Sequence, residues 1–207
     1  MPVLITIEGI DGCGKSSLVA SLCELLADLC PVITREPGET WIGGSVRRAI
    51  AEEIDPVAEA LLFVADHAVH LATVIRPALA GGKLVISDRY TDSRYAYQQV
   101  TLSEAIPDPL TWLKQVHHGW SVPPDLTFLL VVPVEEALKR RSGRPEREHF
   151  EYASLLTRVQ ENYLALAREE PSRFIIVDAE KDEYEVHGFV AGAIRSAAEQ
   201  SRSRRRP

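Results

Sequence analysis

The chain has 207 residues, 45% of them apolar, and a formal net charge of −7. That length suits one α/β domain, or at most two small ones, with a core that needs no disulfide or metal staple. The acidic balance argues against general nucleic-acid affinity, and no uninterrupted apolar run approaches the ~20 residues that span a bilayer.

Five apolar runs read as buried strands: Val3–Ile7, Val32–Thr34, Leu84–Ser87, Leu126–Val132 and Phe174–Val177. Between them lie helical patterns. Lys15–Leu29 carries Leu18, Leu22, Leu25, Leu26 and Leu29 at helical spacing. A long Ala-, Leu- and Val-rich helix is predicted from Pro56 to Ala80, behind an Asp55-Pro56 start signal and ahead of Gly81-Gly82. Residues 150–169 and 182–199 are also helical in pattern. Strands alternating with helices predict a mostly parallel sheet covered on both faces. The end, Ser201–Pro207, is small and basic and is predicted to be a disordered tail. Cys13, Cys23 and Cys30 are odd in number and lack zinc-like spacing, which suits a reducing cytoplasm. No basic segment precedes the first apolar residues, so no signal peptide is expected.

The first strand runs into Gly9-Ile10-Asp11-Gly12-Cys13-Gly14-Lys15-Ser16-Ser17. Two glycines five apart followed by Lys-Ser form the P-loop pattern. Glycines let backbone N–H groups approach phosphate oxygens, and the helix starting at Lys15 aims its positive dipole end at the same anion. Lys15 adds a full charge, and the Ser16 hydroxyl is a magnesium ligand of the usual kind. Asp88, at the end of the third strand, is the matching metal carboxylate; a helix N-cap is the plainer role for such an aspartate. A guanine-reading GTPase needs Asn-Lys-x-Asp, and the chain has no Asn-Lys pair. A kinase needs a second anion site. The basic residues, 18 Arg against 5 Lys, favour the side chain that grips phosphate with two hydrogen bonds.

The segments TREPGET (34–40), IGGSVRRAI (42–50), LLFVADHAVH (61–70), SDRYTDSRYAYQ (87–98) and PDLTFLL (124–130) resemble, in order and spacing, those of the thymidylate kinases. The resemblance runs from residue 3 to about residue 180. It implies a three-layer P-loop NTPase fold with a five-stranded parallel sheet in the order 2-3-1-4-5. It also implies transfer of phosphate from ATP to dTMP with magnesium, in a homodimer built on the 56–80 helix, without nucleic-acid or membrane partners. Residues 1–200 form one kinase domain in this reading, with a lid at about 140–150.

The resemblance also implies roles for individual residues. Arg89 and Arg47 hold the acceptor phosphate, and Arg35 is positioned by Pro37, a candidate cis proline. Asp11 accepts from the sugar 3′-hydroxyl, Phe63 stacks on the base, Tyr97 excludes ribonucleotides, and Gln98 faces a base edge. Gly12 stands where some relatives carry a catalytic arginine, so the lid must supply it. Arg144 and Arg141 are the candidates, with Arg147 third. His67 replaces an arginine that normally reads thymine O4, and Arg94 stands where relatives more often have Ser or Asn. The expectation is that the guanidinium has moved from 67 to 94; altered preference, such as for dUMP, is the alternative. A kinase for another monophosphate and an ATP-binding sensor remain rival readings.

Overall fold

The computed structural model describes residues 2–140 and 146–203, with backbone alone at 146–151 and 202–203. Strands β1 (Val3–Glu8), β2 (Val32–Arg35), β3 (Leu84–Asp88), β4 (Leu126–Val131) and β5 (Phe174–Asp178) form one parallel sheet in the order β2-β3-β1-β4-β5. All six residues of β1 are buried, as a central parallel strand requires when helices cover both faces. The order of the sheet and its parallel sense are those the resemblance implies.

The register fixes the site. Ile7 and Arg35 both pair with Asp88, and Glu8 pairs with Leu129. The carboxyl ends of β1, β2 and β3 therefore finish side by side. Strand β1 has β3 on one side and β4 on the other, which is the switch point where open α/β sheets bind ligands.

Nine α-helices are described: α1 (Lys15–Leu25), α2 (Trp41–Ala51), α3 (Pro56–His70), α4 (Arg76–Ala80), α5 (Thr91–Thr101), α6 (Pro109–His117), α7 (Val134–Lys139), α8 (Glu146–Glu169) and α9 (Glu183–Ser203). Helix α1 buries Leu18 and Leu22, and Leu26 follows them into the core. It ends earlier than its pattern predicts, because the chain tightens into a 3₁₀ turn at Ala27–Leu29 and leaves Leu25 41% exposed. The predicted 56–80 helix is continuous and contains a π-helical turn, Leu71–Ile75, directly after His70. Asp55 caps its start by accepting from the N–H groups of Val57 and Ala58, both at 3.0 Å.

By length and hydropathy Pro56–Ala80 could cross a bilayer. Here Ala60, Leu71 and Ile75 pack in the core, and Asp66 and His70 bond to the loops beside the sheet. Helix α9 continues to Ser203, so the first three residues of the expected tail are helical; residues 204–207 lie outside the described residues.

Candidate active site

The phosphate loop is shaped by backbone that only glycine tolerates. Gly14 has φ +102° and stands before α1 with no side-chain cap, leaving the first N–H groups of that helix for an anion. Gly12 has φ +85°, and a Cβ there would lie 2.2 Å from the Ala137 carbonyl oxygen. Any side chain at this position, arginine included, would force that backbone to shift. The Lys15 ammonium bridges the loop, donating to the carbonyls of Gly9 at 3.0 Å and Ile10 at 2.8 Å. Burial, and then the charge of Arg89, lower its pKa from the ordinary value.

Two cavities open on either side of this loop. The first, about 360 Å³, is lined by Asp11, Gly12, Gly14, Lys15, Ser16, Ser17, Asp88, Arg89 and Arg140. It leads toward a smaller one of about 280 Å³ bounded by Ser17, Arg140, Lys181 and Glu183. The second, about 380 Å³, is lined by Asp11, Pro37, Phe63, Arg89, Arg94, Tyr97 and Gln98 among others. Asp11 and Arg89 line both.

Arg89 has φ +67°, a left-handed backbone held by its own N–H donating to Ile7 O at 3.0 Å. Its guanidinium lies 5.0 Å from the Tyr97 ring centre and donates to Asp11, to Gly9 O at 3.3 Å and to Ser93 Oγ at 3.1 Å. Asp11 also accepts from the Tyr152 hydroxyl at 2.5 Å, so helix α8 reaches the same carboxylate. Tyr97 Oη accepts from the Asp11 N–H at 3.1 Å.

Behind Arg89 stands Glu8. It accepts from the N–H of Tyr90 at 2.8 Å, from Ser93 Oγ at 2.5 Å and from Tyr163 Oη at 2.8 Å. Burial, then repulsion from Asp92, push its carboxyl up to about 7. An acid closing an otherwise apolar strand just before Gly9 was a visible signal for it.

Asp88 Oδ1 is buried and has no hydrogen-bond partner among the described residues, and Ser16 lines the same cavity. An unpaired carboxylate oxygen beside a hydroxyl suits a hard, oxygen-seeking dication. The donor set fits magnesium.

Of the acceptor-side expectations, Asp11, Pro37, Phe63, Arg89, Arg94, Tyr97 and Gln98 come together on one cavity. The Glu36–Pro37 bond is cis, the isomer expected for Pro37. Three further residues expected on the acceptor side do not line this cavity. Arg35 is paired to Glu39 on the exposed side, and it lines a separate groove with Ser16 and Asp88. Arg47 donates to the carbonyls of Pro37 at 3.2 Å and Gly38 at 3.1 Å, supporting that loop rather than lining the cavity. His67 is fully buried away from the cavity, because both ring nitrogens are engaged, with Glu36 Oε1 and Ser121 Oγ, each at 2.8 Å. Arg141 and Arg144 lie outside the described residues, as does the side chain of Arg147.

Arg94 is 2% exposed. Its Nη1 donates to Glu36 Oε2, and its Nε donates to His117 Nε2 at 3.2 Å. Its Nη2 has no partner among the described residues. A buried donor left unpaired costs roughly 1–3 kcal/mol, more for a charged group.

The model of the thymidylate kinase family matches residues 7–190. The chain belongs to the thymidylate kinase family. A probable thymidylate kinase of Methanoculleus marisnigri is 62% identical over 204 residues, 99% of this chain and 100% of the relative. That of Methanospirillum hungatei is 63% identical over 176 residues, 85% of each. A crystal structure of thymidylate kinase from Ehrlichia chaffeensis is similar with a TM-score of 0.72 at 29% identity, covering 94% of this chain and 98% of that one.

Proposed function

We propose that this enzyme transfers the γ-phosphate of ATP to dTMP, giving dTDP and ADP, and that the loop cavity takes the donor while the Phe63 cavity takes the acceptor. The observation that carries this is the pair of cavities sharing Asp11 and Arg89. A single guanidinium on their common wall lies where two chains of phosphate would meet end to end.

The chemistry follows from what is on that wall. The acceptor's phosphate oxygen is already anionic at neutral pH, so attack needs no general base, and rate comes from alignment and charge neutralisation. Lys15 and the N–H groups at the start of α1 hold the donor phosphates. Arg89 holds the acceptor phosphate and faces the donor. Asp11 orients the sugar, Phe63 covers the base, and Tyr97 fills the space beside the sugar. Ser16 and Asp88 hold magnesium, which when bound neutralises charge on the donor phosphates. The smaller cavity past Arg140 takes the donor's nucleoside, and lid arginines close over the transferred group.

Arg94 reads the base in place of an arginine at 67, through Nη2, which has no partner among the described residues. Exposed apolar side chains on the packed α2–α3 pair, Trp41, Ile50 and Leu61, support assembly as a homodimer. Three free cysteines suit a cytoplasmic location.

A coupled assay with Mg-ATP across dTMP, dUMP, dCMP, dGMP and AMP tests the reading. Transfer with dTMP strongly preferred is expected. Transfer to another monophosphate in its place, or ATP binding with no acceptor turnover, contradicts it.

A further inference from the structure

Arg94 is held from two directions. On one side Glu36 takes Nη1. The same carboxylate accepts through Oε1 from the Nδ1 groups of His67 at 2.8 Å and His70 at 2.7 Å. On the other side His117 Nε2 meets Nε. The tautomer of His117 follows from its second bond: Leu113 O, 2.7 Å from Nδ1, can only accept, so the proton sits on Nδ1 and Nε2 is bare. The ring itself is fixed, stacked on Trp120 with centroids 5.6 Å apart and edge-on to Tyr95 at 5.6 Å.

Two fixed partners at Nη1 and Nε define the guanidinium plane. Nη2 then has one direction left, and it carries only hydrogens. A rigid, donor-only, charged group matches a carbonyl oxygen on a base edge. It opposes an amino group at the same place, because two donors then face each other unpaired.

We propose that His117 and Glu36 are positioning residues that lock Arg94 as a donor-only reader, so that the acceptor site takes a pyrimidine with an oxo group on that edge and rejects its amino counterpart. This rests on Arg94 facing the acceptor base. His67 and His70 act one layer further out, orienting Glu36.

The test compares kcat/KM for dTMP and dCMP in wild type, His117→Leu, His117→Gln and Arg94→Met. His117→Leu removes the acceptor for Nε. It is expected to lower the dTMP:dCMP ratio about tenfold or more, by raising KM for dTMP while the KM for ATP stays unchanged. His117→Gln, whose amide oxygen can accept from Nε at similar reach, is expected to restore most of the ratio. Arg94→Met is expected to abolish it. If Arg94→Met abolishes the ratio and His117→Leu leaves it within about twofold of wild type, the base reader stands and the positioning role is overturned. If neither variant moves the ratio, the reading of Arg94 fails as well. Should His117→Leu not fold, His117→Met with the same ratio carries the decision, and an unchanged ratio there overturns the proposal equally.

Discussion

The phosphate cradle at Gly9–Ser16 is made of backbone, whereas the acceptor cavity is walled by side chains. In the cradle, positive φ at Gly9, Gly12 and Gly14 shapes the loop, α1 starts without a side-chain cap, and Lys15 and Ser16 are the side chains on it. In the acceptor wall, each group depends on another: Arg94 on Glu36 and His117, Arg89 on Asp11 and Ser93, Ser93 on Glu8. A backbone cradle fails locally and abruptly. A side-chain wall should fail by degrees, with losses shared among coupled residues.

That contrast can be broken or sharpened by mutation. The largest effect is expected at the residue both cavities share. Arg89→Met should lower kcat/KM for dTMP at least ~10³-fold, since it removes a charge aimed at the transferred group; a loss under tenfold in the coupled assay contradicts the shared wall. Next comes Glu36→Gln, which leaves the Arg94 guanidinium buried against a neutral amide. A loss on the order of 3–5 kcal/mol in urea unfolding is expected. Smaller still is Gly12→Ala, where Cβ would strike the Ala137 carbonyl and φ is unfavourable. A cost of roughly 1–3 kcal/mol, with weakened ATP binding and unchanged dTMP binding, is expected from calorimetry. Equal weakening of both nucleotides would blur the distinction between the two regions.

Comparable in size is the pH dependence of stability. Burial, followed by the Arg94 charge, lowers His67 to about 4 and His117 to about 3. The unfolded chain therefore binds two protons that the native one refuses. Their contribution is complete above pH ~6.5 and is lost as pH falls toward 4. Glu8, raised to about 7, acts in the opposite sense: the native state takes up its proton first, gaining stability as pH falls from 7 to 4.5. The two histidines outweigh the one carboxyl. Acidifying from pH 7.5 to 5 should cost about 2 kcal/mol, and roughly twice that in Glu8→Gln. A flat profile in both proteins would show that these groups are not desolvated as described.

The same contrast explains what could be read from sequence. The cradle was legible because backbone chemistry requires fixed spacing between Gly9, Gly14, Lys15 and Ser16. The five strands were legible because parallel strands buried on both faces must be apolar throughout; only their ends shifted, to Glu8, Arg35, Asp88, Val131 and Asp178. Helix α5 gave no apolar stripe, because its inward face carries Asp92, Arg94 and Gln98, all buried. Residues 35, 89 and 94 became meaningful through resemblance rather than pattern. His117 had no local signal: it joins Arg94 across 23 positions and belongs to another helix. The same holds for Tyr152, which reaches Asp11 from 141 positions away. His67 had no sequence signal for its partners, since its ring nitrogens meet Glu36 and Ser121, 31 and 54 positions away.

The most direct measurement of the account is binding of a single molecule in which adenosine and thymidine are joined through their 5′ positions by a polyphosphate long enough to span both cavities. If the two sites meet at Arg89, this compound should compete with ATP and with dTMP alike and bind far more tightly than either. Competition with only one of the two nucleotides, at an affinity no better than that nucleotide's own, would mean that the cavities do not face each other across that residue.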